Sequence, residues 1–146
     1  MATIELVVPE LQDAPPPAGL RPAPRRPLGP DTRLVLVDNG KPRAKELLTL
    51  IAQQMRDGGY ANVRVLSKGS ASAVLDDAQV AELARSADAV IAGLGDCGAC
   101  SACSLADAIR VESAGVPATV VISDVFVAHV ASFATTLGMP GYHSAV

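Results

Sequence analysis

From Arg33 onward the chain alternates between short unbroken apolar runs and longer stretches whose apolar residues recur at helical spacing. Leu34-Val35-Leu36-Val37 runs into Asp38-Asn39-Gly40, the pattern of a buried strand followed by a turn. Pro42 stands near the start of a helix reaching Arg56, with Leu47, Leu48, Ile51 and Met55 on its inner face and Asp57-Gly58-Gly59 as its stop. Val63 to Leu66 reads as a second strand. A short helix over Asp77 to Ser86 turns Val80, Leu83 and Ala84 inward. Ala89 to Ala92 is a third buried strand, leading through Gly93-Leu94-Gly95 into a cysteine-rich loop. A helix from Ser101 to Ala114 follows, closed by Gly115 and Pro117. Ala118 to Ile122 is a fourth strand, and Val125 to Leu137 a last helix, stopped by Gly138 and Pro140.

Strands that alternate with helices specify an α/β protein with a parallel sheet. Right-handed crossovers leave few topologies. The expected architecture is a flavodoxin-like or Rossmann-like three-layer sandwich with a short sheet in the order 2-1-3-4. Two parts stand outside this pattern. Residues 1–32 form a proline-rich arm, since proline lacks the amide donor and cannot serve a central strand or helix interior; Thr3 to Val8 within it reads as a short strand. Residues 33–146 form one α/β domain, whose tail, Gly141 to Val146, is too short for a convincing fifth strand. The sheet is therefore expected to be completed by the N-terminal strand or by another subunit.

Composition sharpens this picture. Of the 146 residues 49% are hydrophobic but only 3% aromatic, so the core is built from Val, Leu, Ile and Ala, which suits a parallel sheet under Ala-rich helices. A net charge of −3 gives no electrostatic footprint for nucleic acid. The one basic cluster, Arg21, Arg25 and Arg26, reads as a solvated stretch. No apolar run approaches the ~20 residues of a membrane span, and Glu5, Glu10 and the prolines interrupt any leader-like stretch, so a cytoplasmic protein is expected. In that compartment closely spaced cysteines are catalytic or metal-binding more often than structural.

Those cysteines lie in Gly95-Asp96-Cys97-Gly98-Ala99-Cys100-Ser101-Ala102-Cys103. A helix start offers unpaired N–H groups and partial positive charge, which favour a thiolate. The Cys97–Cys100 spacing lets one thiol attack and the other resolve the adduct. Gly98 leaves room beside Cys97. Cys103 is either a third thiol of the site or a core residue of the first turn. The same run supports a different chemistry, a metal or iron–sulfur module held by Cys97, Cys100 and Cys103, although neither His129 nor His143 obviously faces the loop to complete a ligand set. A third possibility is a non-catalytic subunit of a hetero-oligomer.

In a 2-1-3-4 sheet the ligand crevice opens between strands one and three, at their carboxyl ends. That brings Asp38, Asn39, Gly40 and Lys41 to the cysteine loop as candidate substrate-binding residues, with Asp96, Gly98, Ser101 and Asp124. Lys41 would favour a thiolate or hold an anionic substrate. Asn-Gly after a strand is also ordinary turn chemistry. Phe126 belongs to the same end of the sheet. Asp107 and Glu112 read as surface charges, and the two histidines as structural or solvated. Gly93-x-Gly95-x-x-Gly98 matches a dinucleotide fingerprint, but its acidic partner is misplaced. The sequence leaves the cofactor unknown.

The segments Val37-Asp38-Asn39-Gly40-Lys41-Pro42, Gly95 to Ser104 and Ala114-Gly115-Val116-Pro117 resemble the UGSC family of proteins and selenoproteins. Cys97 stands where some members carry selenocysteine, Ala99 replaces the family's serine, and Cys100 matches its cysteine. The loop is also similar to the selenocysteine site of the B component of glycine, sarcosine and betaine reductases. The resemblance implies redox or nucleophilic chemistry on a small-molecule substrate, with Cys97 attacking and Cys100 releasing the product as a disulfide forms. It also implies a further strand beyond the Gly-Met-Pro segment, and hence a companion subunit or a homo-oligomer.

Overall fold

A computed structural model describes residues 19–146; the strand expected over Thr3 to Val8 lies outside them. The described residues contain a four-stranded, all-parallel sheet in the order β2-β1-β3-β4. Its strands are β1 (Arg33–Asp38), β2 (Asn62–Ser67), β3 (Ala89–Gly95) and β4 (Ala118–Ile122), joined through helices α1 (Ala44–Asp57), α2 (Asp77–Ser86) and α3 (Gly98–Ser113). A 3-10 turn, Asp124–Phe126, leads into α4 (Val127–Thr136). This is the α/β architecture and strand order that the alternating pattern specifies.

The two faces of β1 divide the core. Val35 and Val37 pack with Leu83, Leu105, Ile109, Val120 and Val130 beneath α2, α3 and α4. Leu34 and Leu36 pack with Leu48, Ala52 and Val63 beneath α1. Ile91, Thr119 and Val121 stay half-buried, on the face that α1 alone covers. Leu47 and Ala84, expected on inner faces, are exposed. In both helices one residue of the turn, Leu48 or Leu83, fills the space and turns its neighbour outward.

The tail does more than its length suggests. Ala145 forms a parallel bridge with Val121, donating its N–H to Val120 and accepting from Ile122. It is a one-bridge extension of the β4 edge. The described part of the arm, residues 19–32, lies on its own domain: Leu20 N–H donates to Gly138, and Ala23 is buried.

Asp107 and Glu112 are not surface charges. Both are buried, at 1% and 2% exposure. Asp107 pairs with Lys68, whose side chain is buried too, and accepts the Leu75 N–H at 2.6 Å. Lys68 also donates to the Ala73 carbonyl at 2.5 Å. The pair pins the loop between β2 and α2 onto α3. Burial pushes the Asp107 carboxyl above its ordinary range, opposed by the hydrogen bonds from Lys68 and Leu75. Glu112 accepts from Ala23 N–H at 2.6 Å, Ala118 N–H at 2.7 Å and the Arg25 guanidinium at 2.7 Å. Helical periodicity could not reveal either role, because the partners lie outside the helix. Only the apolar residues around Asp107 and Glu112, which put them on an inward-facing stretch of α3, carried a signal.

Candidate thiol site

Helix α3 begins earlier than the sequence suggests, at Gly98, so that Cys97 is its N-cap and Cys100 lies inside its first turn. The Cys97 backbone is extended, with φ −150°, and its Sγ accepts the Cys100 N–H at 3.3 Å. The Cys97 carbonyl accepts the Ser101 N–H at 2.9 Å. Sulfur here takes the position that a Ser or Asp oxygen occupies in a conventional cap. The two residues are joined as a disulfide, with Cα atoms 5.4 Å apart. Cys97 is half-buried and Cys100 buried. An external reagent therefore meets Cys97 first.

The strand order brings the Asp38–Lys41 turn beside this loop. Asp38 is buried, and its carboxylate accepts the Gly40 N–H at 2.9 Å and the Ser67 hydroxyl at 2.8 Å. Asn39, also buried, donates its side-chain amide to the Leu94 carbonyl at 2.8 Å and to Ser104 Oγ at 3.2 Å. Both side chains are thus committed to building the turn and to tying β1 to β3 and α3. Gly40 adopts φ +77°, and its Cα faces Gly69 so closely that a Cβ would lie 3.3 Å from that backbone.

Lys41 is the member of the turn that reaches the cysteine loop. Its Nζ lies 2.8 Å from Asp96 Oδ1, and both side chains are partly exposed. The cation next to the disulfide is therefore balanced by a carboxylate. Gly98 opens the helix. Ser101 is fully buried against Gly95, where an added Cβ would stand 2.7 Å from Ser101 Oγ, so α3 packs closely on β3 there. Asp124 is exposed, and its carboxylate accepts the Val125 N–H at 2.8 Å. Cys103 is a free, half-buried thiol one turn further along α3.

One residue reaches the loop against expectation. His129, on α4, places Nε2 3.3 Å from the Gly98 carbonyl. A carbonyl only accepts, so this contact requires hydrogen on Nε2. Phe126 and Phe133 flank the ring, with centroids 6.5 and 6.3 Å away. The Phe126-x-x-His129-x-x-x-Phe133 spacing put these residues on one helical face; nothing in the sequence located that face over the cysteines. For metal binding, the Asp96 carboxylate and the sulfurs of Cys97 and Cys100 lie within 4.8 Å of one another. Cys103 is not part of that group.

No helix among the described residues is long and apolar enough to cross a membrane. The family model described as UGSC family matches residues 5–146. No curated protein matches the chain, and no solved structure does.

Proposed function

The chain belongs to the UGSC family, and on that premise we propose that it is a thiol-dependent redox or nucleophilic enzyme, or the thiol-bearing subunit of one, acting on a small molecule. Cys97 is the nucleophile and Cys100 the resolving thiol. The observation that carries this reading is the asymmetry of the pair: the half-exposed sulfur caps α3, and the buried one sits inside its first turn. In the reduced protein the cap position favours the Cys97 thiolate through the Cys100 N–H and the helix dipole.

The chemistry follows in two displacements. The Cys97 thiolate attacks the substrate, forming a bond from Sγ to the attacked atom while the leaving group departs with the electron pair. The Cys100 thiolate then attacks Cys97 Sγ, forming the disulfide and releasing the attached fragment with its electron pair and a proton from solvent. The substrate is reduced by two electrons, and an external dithiol restores the two thiols. His129 holds the first turn of α3 through Gly98, and the Lys41–Asp96 pair borders the entry to Cys97. We place this chemistry in a reducing, cytoplasmic setting and in an oligomer that covers the open part of the sheet.

An aromatic disulfide that releases a coloured thiolate tests this on Cys103→Ala protein. With both thiols reduced, two equivalents of coloured thiolate should be released and no adduct retained. Cys100→Ser in that background should release one equivalent and keep the adduct on Cys97. Equal release from both proteins would overturn the assignment.

A second reading, a metal module, is supported by the convergence of Asp96, Cys97 and Cys100. Stoichiometric zinc, iron or copper in protein purified without oxygen would favour it over thiol catalysis.

A further inference from the structure

A cleft of about 580 Å³ lies at the end of the sheet opposite the cysteines, roofed by the arm. Its volume falls in the range of small-ligand pockets. Pro24, Pro27 and Leu28 of the arm form one wall, and Val116 and Pro117, before β4, form another. Three arginines line it, Arg25, Arg26 and Arg33, against one carboxylate, Asp88.

Two of those arginines are committed. Arg25 gives both terminal nitrogens to buried Glu112. Arg33 binds Asp88 through Nε and Nη2 and the Arg85 carbonyl through Nη1. Arg26 makes no hydrogen bond or ion pair with the other described residues. The cleft therefore carries one cation with no hydrogen-bonded partner among the described residues, beside alanine, valine and proline side chains. Glu112 fixes the roof, because it holds Ala23 and Arg25 on either side of Pro24.

We propose that this cleft is a binding site for a small amphiphilic anion, in which Arg26 pairs with a carboxylate or sulfonate and the Pro24–Leu28 wall covers an apolar body. A guanidinium matches the planar or tetrahedral oxygens of such a group with paired donors. This site is independent of the thiol chemistry.

Anilinonaphthalene sulfonate, an aromatic body with one sulfonate, is the probe. Fluorescence titration of the full chain should saturate at one probe per chain, and affinity should fall as salt rises. Arg26→Gln should weaken binding about tenfold, the loss expected for one charge-assisted contact. Leu28→Ser, at a half-exposed position of the roof, should weaken it as well. Circular dichroism should show both variants folded. The competing location is the apolar groove between Leu20, Val80, Ile109 and Leu137. If Val80→Ser weakens binding and Arg26→Gln does not, or if binding never saturates, the proposal is wrong.

Discussion

Cys97 and Cys100 are bonded to each other twice: covalently through sulfur, and by the Cys100 N–H donated to Cys97 Sγ at 3.3 Å. The second contact does not need the first. With the disulfide reduced, Cys97 should remain the N-cap of α3, where a thiolate would meet the unpaired amides of the first turn.

The first prediction concerns relative reactivity. In reduced, folded protein at neutral pH, iodoacetamide should label Cys97 at least about tenfold faster than Cys100, read by peptide mass spectrometry over time. Cys103, half-buried and inside the helix, should fall between or behind. Labelling of all three only after denaturation would remove the basis for a nucleophile here.

The Lys41–Asp96 pair should tune that rate. Both side chains are partly exposed, so breaking the pair should change stability by less than about 1 kcal/mol. Reactivity should change more. Asp96→Asn removes the carboxylate beside the thiolate and leaves Lys41 unbalanced, so Cys97 alkylation should accelerate. Lys41→Met should slow it. Second-order rate constants that change in opposite directions from the parent's, at nearly unchanged melting temperature, are the expected result.

Much of this site was legible in the chain and some was not, for a physical reason. Unbroken runs such as Leu34–Val37 and Ala89–Ala92 specify buried parallel strands, and the strand order places Lys41 near Asp96. Those inferences need only local pattern and chain topology. Asp107 and Glu112 read as surface charges, and His129 as a residue away from the loop, because their partners come from other elements: Lys68 from the loop after β2, Arg25 from the arm, Gly98 from the next helix over. A charge on an Ala-rich helix looks the same whether solvent or a buried cation answers it. The arm itself hid its anchoring, since Ala23 and Leu20 attach through backbone N–H groups that any residue supplies.

Lys68 and Asp107 give a stability prediction. Both side chains are 1% exposed, so removing one leaves a buried charge unpaired. Lys68→Met or Asp107→Leu alone should destabilise by about 3–5 kcal/mol, and the double variant should recover most of the loss. Urea denaturation of the three proteins measures the coupling. A loss no smaller in the double variant than the sum of the single losses would show that the two side chains do not act as a pair.

At the other end of the sheet, pH should separate Asp88 from the remaining carboxylates. Hydrogen bonds from the Arg33 guanidinium and the Arg33 N–H hold its carboxyl down at about 2, against an ordinary 3.8. Because the folded value lies below the unfolded one, the stabilisation is complete above about pH 4 and is lost as pH falls toward 2. The pair is largely exposed, so the effect is small. Asp88→Asn should be slightly less stable than the parent at pH 7 and equal to it near pH 2, in urea melts at matched ionic strength.

Gly95 tests how tightly the cysteine helix is docked. A Cβ there would lie 2.7 Å from Ser101 Oγ, 2.8 Å from Ile122 Cγ2 and 3.0 Å from Ser101 Cα. The first contact is with a side chain on α3 and the second with one on β4, so relief requires moving the helix off the sheet. Gly95→Ala should cost about 1–3 kcal/mol. Ser101→Ala added to it removes the hydroxyl but not the Ile122 or backbone contacts, so the double variant should regain only part of that loss. Cys97 and Cys100 ride on the same turn, Asp96 to Ser101. A shift of α3 should therefore also change the rate at which a dithiol reduces the disulfide, and this rate should move in Gly95→Ala even where the protein remains folded. An unchanged reduction rate in a destabilised Gly95→Ala would mean that the thiol loop holds its geometry without help from the packing beneath it.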